Sequence, residues 1–222
     1  MKPIDTLPPP AIPLPLFAMA LLYGGMTCIA GVLGSKQIAL GPLAVEAGIL
    51  PFLLLVALSS AVTRLYGKDA GSRLVRFGFV PLATAIALTW LVIQLPTDAG
   101  MWEPAKEAFP IVLGQSARLM VAGIIAYGVS MTLNVVLFAR LVGRTGRLGL
   151  AAGAIAAVIS QVVDTLIFIT VAFYGVRPIG ELIVGQALAK VVLSLVLVPL
   201  LIAMFVALSR RADPALQSRL TA

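Results

Sequence analysis

The sequence predicts an all-α fold: a polytopic membrane protein built as a six-transmembrane-helix bundle with both termini cytoplasmic. Three observations carry this. Of 222 residues, 60% are hydrophobic and only 11% are charged, whereas soluble domains carry roughly 25% charge. Six apolar runs each come near or exceed the ~20 residues a helix needs to cross the hydrocarbon core. Basic residues concentrate in alternate links between those runs, which sets the side on which each link lies.

The first run is Pro13 to Leu33. The proline-rich residues 1–12 before it suit an extended tail, and Pro13 or Pro15 suits the first turn of a helix. Ala18-Met19-Ala20 resembles a signal-peptidase site. However, Pro8, Pro9, Pro10, Pro13 and Pro15 precede it with Lys2 as the only basic residue, so an uncleaved helix is expected. The second run, Ala44 to Val62, is the weakest, being short with Pro51 in its first half. The third is Val75 to Leu95, and the fourth, Pro110 to Leu141, is long enough to tilt or to begin outside the hydrocarbon. The fifth is Leu148 to Phe173 and the sixth Leu182 to Leu208, followed by a basic tail over residues 209–222. Residues 13–208 thus form one membrane domain.

Arg64, Lys68 and Arg73, with Arg76 just beyond, fall between runs two and three; Arg144 and Arg147, after Arg140, fall between four and five; Arg210, Arg211 and Arg219 close the chain. The other side has Lys36, Lys106 and Arg177 against Glu46, Asp98, Glu103, Glu107 and Glu181. The acidic loop Pro96 to Phe109, with Trp102 as an interface anchor, is therefore expected outside. Small residues four apart, Ala20 and Gly24 in the first run and Gly153 and Ala157 in the fifth, suit close helix packing in lipid.

Several chemistries are excluded or disfavoured. The net charge of +7 is placed in particular loops, so no nucleic-acid partner is implied. Cys28 is the only cysteine and histidine is absent, which removes internal disulfides, histidine-based triads and the usual zinc sites. No cofactor is implied. The chain has no P-loop and so does not read as an ATPase. Lacking a recognisable nucleophile–base pair or metal set, it does not read as an enzyme either.

The informative residues are polar groups inside the runs. Asp164 in the fifth and Lys190 in the sixth lie about equally far from the short connection Tyr174 to Glu181, so antiparallel helices bring them to one depth. A lone charge in a bilayer costs at least roughly 3 kcal/mol, so a pair, or two walls of one polar cavity, is expected. Ser160, Gln161 and Thr165 accompany Asp164; Gln161 and Asp164 share a face at i and i+3. Gln186 and Lys190 share one at i and i+4, and Gln115 and Arg118 do so on the fourth helix. Two readings fit these groups. One is structural: buried pairs that lock the bundle, with Arg118 reaching the outer headgroups. The other is a solute site in the outer half of the membrane, favoured because two cations, a carboxylate and several amides exceed what packing needs. Asn134, deeper in the fourth helix, suits an interhelical hydrogen bond.

The run Ser160-Gln161-Val162-Val163-Asp164-Thr165-Leu166-Ile167-Phe168 resembles the signature of the queuosine precursor transporter family, also called the vitamin-uptake-transporter-like family. Arg64-Leu65-Tyr66-Gly67, Arg118 with Ala126-Tyr127, and Gln186 with Lys190 resemble further pieces of it, in order, over roughly Gly24 to Leu208. Three positions depart. Ser59-Ser60 stand where the family usually has Thr-Asp, Gly31 where it has Asn, and Asn134 where Asp is common. The resemblance implies import of 7-deazaguanine compounds: the 7-cyano or 7-aminomethyl precursor, or queuine. The implied substrate-binding residues are Asp164, Gln161, Lys190, Gln186, Arg118, Ser160, Phe168 and Asn134. A guanine-like edge has two parallel N–H donors and a carbonyl. A carboxylate such as Asp164 accepts two donors side by side, while Gln161, Gln186 or Lys190 donates to the carbonyl. Phe168, Phe173 and Trp90 are candidates to stack on the ring.

A substrate-binding subunit of an energy-coupling-factor vitamin importer has a similar six-helix size and is the alternative; an intramembrane enzyme is the remote one. The expected partners are a small-molecule substrate and the lipid bilayer. A homo-oligomer and an energy-coupling partner both remain compatible with the sequence.

Overall fold

The computed structural model describes residues 12–41, 43–114, 117–145, 149–175, 178–213 and 216. The rest of the proline-rich tail, Gln115, Arg147, Arg177 and Arg219 lie outside the described residues. Seven α-helices and one β-hairpin make up the described chain: α1 Leu14–Gly34, β1 Gln37–Leu40, β2 Leu43–Glu46, α2 Ile49–Tyr66, α3 Lys68–Gln94, α4 Glu103–Leu113, α5 Ala117–Thr145, α6 Gly149–Phe173 and α7 Gly180–Ala212. Six of these helices, all but α4, are long and apolar enough to cross a membrane. Large apolar side chains such as Leu21, Phe77, Trp90, Val192 and Leu200 face outward, as lipid-facing surfaces require. The protein is a multi-pass membrane protein.

The run that looked weakest is the centre of the bundle. Helix α2 is short because it is enclosed: it packs against α1, α3, α5 and α7 and buries every residue from Leu55 to Thr63. Its small positions, Ala57, Ser59, Ser60 and Ala61, are fully buried and let neighbouring backbones close in. Pro51 falls in the first turn, where its missing N–H would have no intrahelical partner. The helix starts at Ile49 rather than Ala44, because Leu43–Glu46 form β2 instead. Antiparallel pairing sets Gln37 against Glu46 and Leu40 against Leu43, closed over Gly41 at φ +60°.

Two other boundaries differ from the apolar pattern. Helices α2 and α3 meet at the single residue Gly67, whose φ of +87° favours glycine. Helix α3 therefore begins at Lys68, its first turns carrying Lys68, Asp69, Arg73 and Arg76. Hydropathy registers only the apolar part of such a helix. The expected single run from Pro110 is divided: α4 ends at Leu113 and α5 starts at Ala117. Helix α4 contains no buried residue, consistent with an element lying over the bundle rather than within it.

Helix packing follows the small residues in part. A Cβ on Gly153 would press on Ile202 Cδ1 at 2.7 Å and meet Phe138, and Ala157 is fully buried. Gly24 faces Pro81 of α3, whereas Ala20 faces outward. Gly78 is another close approach, between α3, α1 and α5. A Cβ there would collide with the Tyr127 hydroxyl and come within 2.6 Å of Tyr23 Cε1. Those two hydroxyls are hydrogen-bonded to each other at 2.8 Å. Gly78→Ala is therefore expected to destabilise the protein by about 1–3 kcal/mol through overpacking, read as a lower thermal midpoint in detergent. An unchanged midpoint would show that the α1–α3–α5 contact yields freely.

Candidate functional site

Helices α6 and α7 run antiparallel from the connection after Phe173, and each carries one charged residue inward. The Lys190 ammonium donates to Asp164 Oδ2 at 2.8 Å. The Ser130 hydroxyl, from α5, donates to Asp164 Oδ1 at 3.0 Å. Both charged side chains are less than 10% exposed. Two ions removed from water are tolerable only as such a pair, with further hydrogen bonds on the remaining lone pairs. Lys190 also lies 5.4 Å from the centre of the Phe52 ring, a cation–π contact with α2.

This pair forms part of the wall of a cavity of about 220 Å³. That is below the roughly 300–1,000 Å³ of pockets for drug-sized ligands, so the space suits a compact solute. The wall draws on one end of every membrane-crossing helix. It uses the last turns of α1 (Thr27 to Gly34), the start of α2, the second half of α3, the first half of α5, the second half of α6 and the first half of α7. The cavity thus occupies the half of the bundle remote from both termini, beside the hairpin and the end of α4, which add Glu46, Val112 and Leu113.

Of the residues expected in a site, Asp164, Lys190, Gln186 and Phe168 come together in this wall. Gln186 is 2% exposed and one turn from Lys190, and its amide makes no hydrogen bond to any described residue. An amide held at a cavity with no partner among the described residues is available to a ligand. Phe168 stands edge-on to Phe173, with ring centres 6.3 Å apart.

The other four lie elsewhere. Arg118 is exposed and caps α6: its Nε donates to the Val171 carbonyl at 2.6 Å and an Nη to the Tyr174 carbonyl at 2.7 Å. The last carbonyls of a helix lack intrahelical donors and carry partial negative charge, which explains the attraction. Asn134 holds α5 to α2, its amide nitrogen donating to Ser59 Oγ and Ser60 Oγ at 3.1 Å each. Ser60 and Asn134 are therefore neighbours. The Ser160 hydroxyl turns back onto the Ala157 carbonyl of its own helix. Gln161 is fully buried outside the cavity wall. Among the described residues both its amide atoms lack a hydrogen-bond partner, as do Thr165 Oγ1 and Ser194 Oγ. Of the ring candidates, Trp90 is exposed, and neither it nor Phe173 lines this cavity.

Sequence reasoning passed over Glu46, Phe52, Cys28 and Tyr127 as site residues. Tyr127 sits in the wall, donating to the Val75 carbonyl at 3.3 Å and placed edge-on to Phe79 at 4.9 Å. Glu46 fell inside the expected run Ala44 to Val62, where nothing marked it as a wall residue; its place in the wall depends on β2, which packs on α7. Gly31 also lines the cavity, and a Cβ there would meet nothing within 4 Å. Its lack of a side chain leaves that part of the wall open. Among the described residues no group of His, Cys, Asp and Glu could hold a metal.

A sequence model of the family described as "Putative vitamin uptake transporter" matches residues 46–204. The chain belongs to this family. The match opens at Glu46 and contains the whole ion pair, so the likeness drawn from Ser160 to Phe168 and from Gln186 with Lys190 holds at family level. The family is one of membrane transporters, which agrees with six spanning helices around a central cavity. Helix α1, which supplies Thr27, Cys28 and Gly31 to the wall, lies outside the matched stretch. No curated protein and no solved structure matches the chain.

Proposed function

We propose that the protein imports a small planar heterocycle, a 7-deazaguanine queuosine precursor, and binds it in this cavity. The observation that supports the reading is the composition of the cavity floor: a carboxylate, an ammonium and an amide with no hydrogen-bond partner among the described residues, with an aromatic ring beside them. A carboxylate has about four lone-pair sites. Ser130 and Lys190 take one each at Asp164, which leaves acceptor capacity for two N–H donors of a guanine-like edge. The Lys190 ammonium has three donors and gives one to Asp164, so it or Gln186 can donate to the ring carbonyl. A site built this way rejects analogues lacking the edge, because its own buried groups would then stay unpaired.

A ligand panel on the purified protein tests the assignment. The 7-deazaguanines are expected to raise the thermal midpoint, while adenine, pyrimidines and water-soluble vitamins leave it unchanged. Stabilisation by a vitamin alone would replace the ligand while keeping the cavity.

With the termini cytoplasmic, the cavity opens to the outside. Cys28, the only cysteine and a residue of the wall, reports on this directly. A small membrane-impermeant methanethiosulfonate is expected to modify it in intact cells, and bound substrate is expected to slow the reaction. Modification only after permeabilisation would reverse the orientation.

A further inference from the structure

We infer that Gln161, Ser194 and Asn134 form a second station on the transport path, a neutral polar layer beneath the cavity that takes the solute's hydrogen-bonding edge as it leaves Asp164. The inference rests on the solute-binding reading above and extends it inward. Helical rise fixes the layer. The bonds from Ser130 and Lys190 to Asp164 set the register of α5, α6 and α7. Toward the chain termini, Asn134 follows Ser130 by four residues, Gln161 lies three from Asp164, and Ser194 follows Lys190 by four. Each is therefore about 4.5–6 Å further in, on the face that carries the residue of the ion-pair cluster. One turn beyond, the same faces become apolar: Phe138 on α5, Ala157 on α6 and Val198 on α7, all fully buried. The bundle thus stacks a charged layer, a neutral polar layer and an apolar seal, in that order from the cavity inward.

The layer is polar without being paired. Among the described residues, Gln161 Oε1 and Nε2, Ser194 Oγ and Asn134 Oδ1 have no hydrogen-bond partner, and all three residues are fully buried. Other polar groups of the spans do find partners. The Ser59 and Ser160 hydroxyls donate to carbonyls of their own helices, and the Asn134 amide nitrogen donates to Ser59 on α2. A layer kept only to hold helices together would use its groups in one of these ways, since neither lipid nor an apolar core offers a substitute. Gln161 and Ser194 instead hold donors and acceptors in reserve. Their chemistry repeats that of the cavity floor without its charge. Gln161 Oε1 and Asn134 Oδ1 accept from N–H donors, and Gln161 Nε2 or Ser194 Oγ donates to a carbonyl. Hydrogen bonds between neutral groups are roughly half as strong as those to an ionised one. The inner layer therefore receives the solute's edge and releases it more readily than Asp164 does, as passage requires. Separation of the apolar seal opens the layer toward the termini, the change that alternating access needs.

Measuring rate, affinity and stability together separates this role from a structural one. The double variant Gln161→Leu, Ser194→Ala removes the unpaired groups with little change of volume. Its thermal midpoint in detergent is expected to equal or exceed that of the wild type, because no bonded partner is lost. Binding of 7-cyano-7-deazaguanine to the purified protein uses the cavity floor, so its Kd should stay within about twofold of wild type, while the maximal uptake rate falls about tenfold. An uptake rate within about twofold of wild type in the well-expressed variant would overturn the inference. So would a loss of affinity as large as the loss of rate, which would put both residues in the cavity site. A lower midpoint, or a variant that does not fold, would overturn it too, since either result assigns the groups to packing. Wild-type protein that neither binds nor takes up the compound would instead overturn the functional reading on which the inference rests.

Discussion

Lys190→Met is expected to cut the amount of folded protein sharply. The substitution keeps an unbranched apolar stem and removes the ammonium that lies 2.8 Å from Asp164. The carboxyl group would be left in a nearly closed site with the Ser130 hydroxyl as its remaining partner among the described residues. Removing one partner of a buried pair costs about 3–5 kcal/mol, because the other charge stays without compensation. That is a large share of the roughly 5–15 kcal/mol that holds a typical domain folded. The same reasoning gives the control. Replacing a whole buried pair by neutral groups of similar volume is often close to neutral for stability. The double variant Asp164→Asn with Lys190→Met should therefore recover most of the lost yield and thermal midpoint. A Lys190→Met protein as stable as the wild type would mean that water reaches Asp164 freely, and that the pair is not the closed one described.

Asp164→Asn is expected to abolish useful uptake while perturbing size least. Asparagine offers one acceptor oxygen where aspartate offers two, and it places a donor where the ligand also donates. The lost charge-assisted bond and the mispaired group together remove roughly 2–4 kcal/mol of binding, about 30- to 900-fold in affinity. Lys190 would also lose its counter-charge, so yield must be measured beside uptake. Full uptake by a well-expressed Asp164→Asn protein would take Asp164 out of the binding site.

The equal depth of Asp164 and Lys190 was legible because helical rise and a short connection fix it, whatever the rest of the bundle does. Gln186 followed from the same face arithmetic on α7. Gln161 shows where that arithmetic stops. It shares a face with Asp164 at i and i+3, yet one turn toward the termini that face lies beneath the cavity rather than in its wall. Arg118 illustrates a different limit. Its partners are backbone carbonyls at the end of α6, and no side-chain pattern in the sequence marks a helix end that will pass beside it. The hairpin went unread because its strands are four residues each and merge with the apolar run that follows. Glu46 as a residue of the cavity wall went unread for the same reason. Helix α2 was underrated because hydropathy measures length and apolarity, whereas the central helix of a bundle needs small residues and neighbours.

The ion pair alone would serve packing as well as transport, so the central claim is that this cavity recognises a guanine-like edge through Asp164. The direct measurement is uptake of a queuosine precursor by cells that cannot make it, scored as queuosine in their tRNA. The wild-type protein is expected to restore the modification. The Asp164→Asn, Lys190→Met double variant, present in the membrane at a comparable level, is expected to leave it absent. Restoration by the double variant to the wild-type level, or none by a well-expressed wild type, would contradict the account.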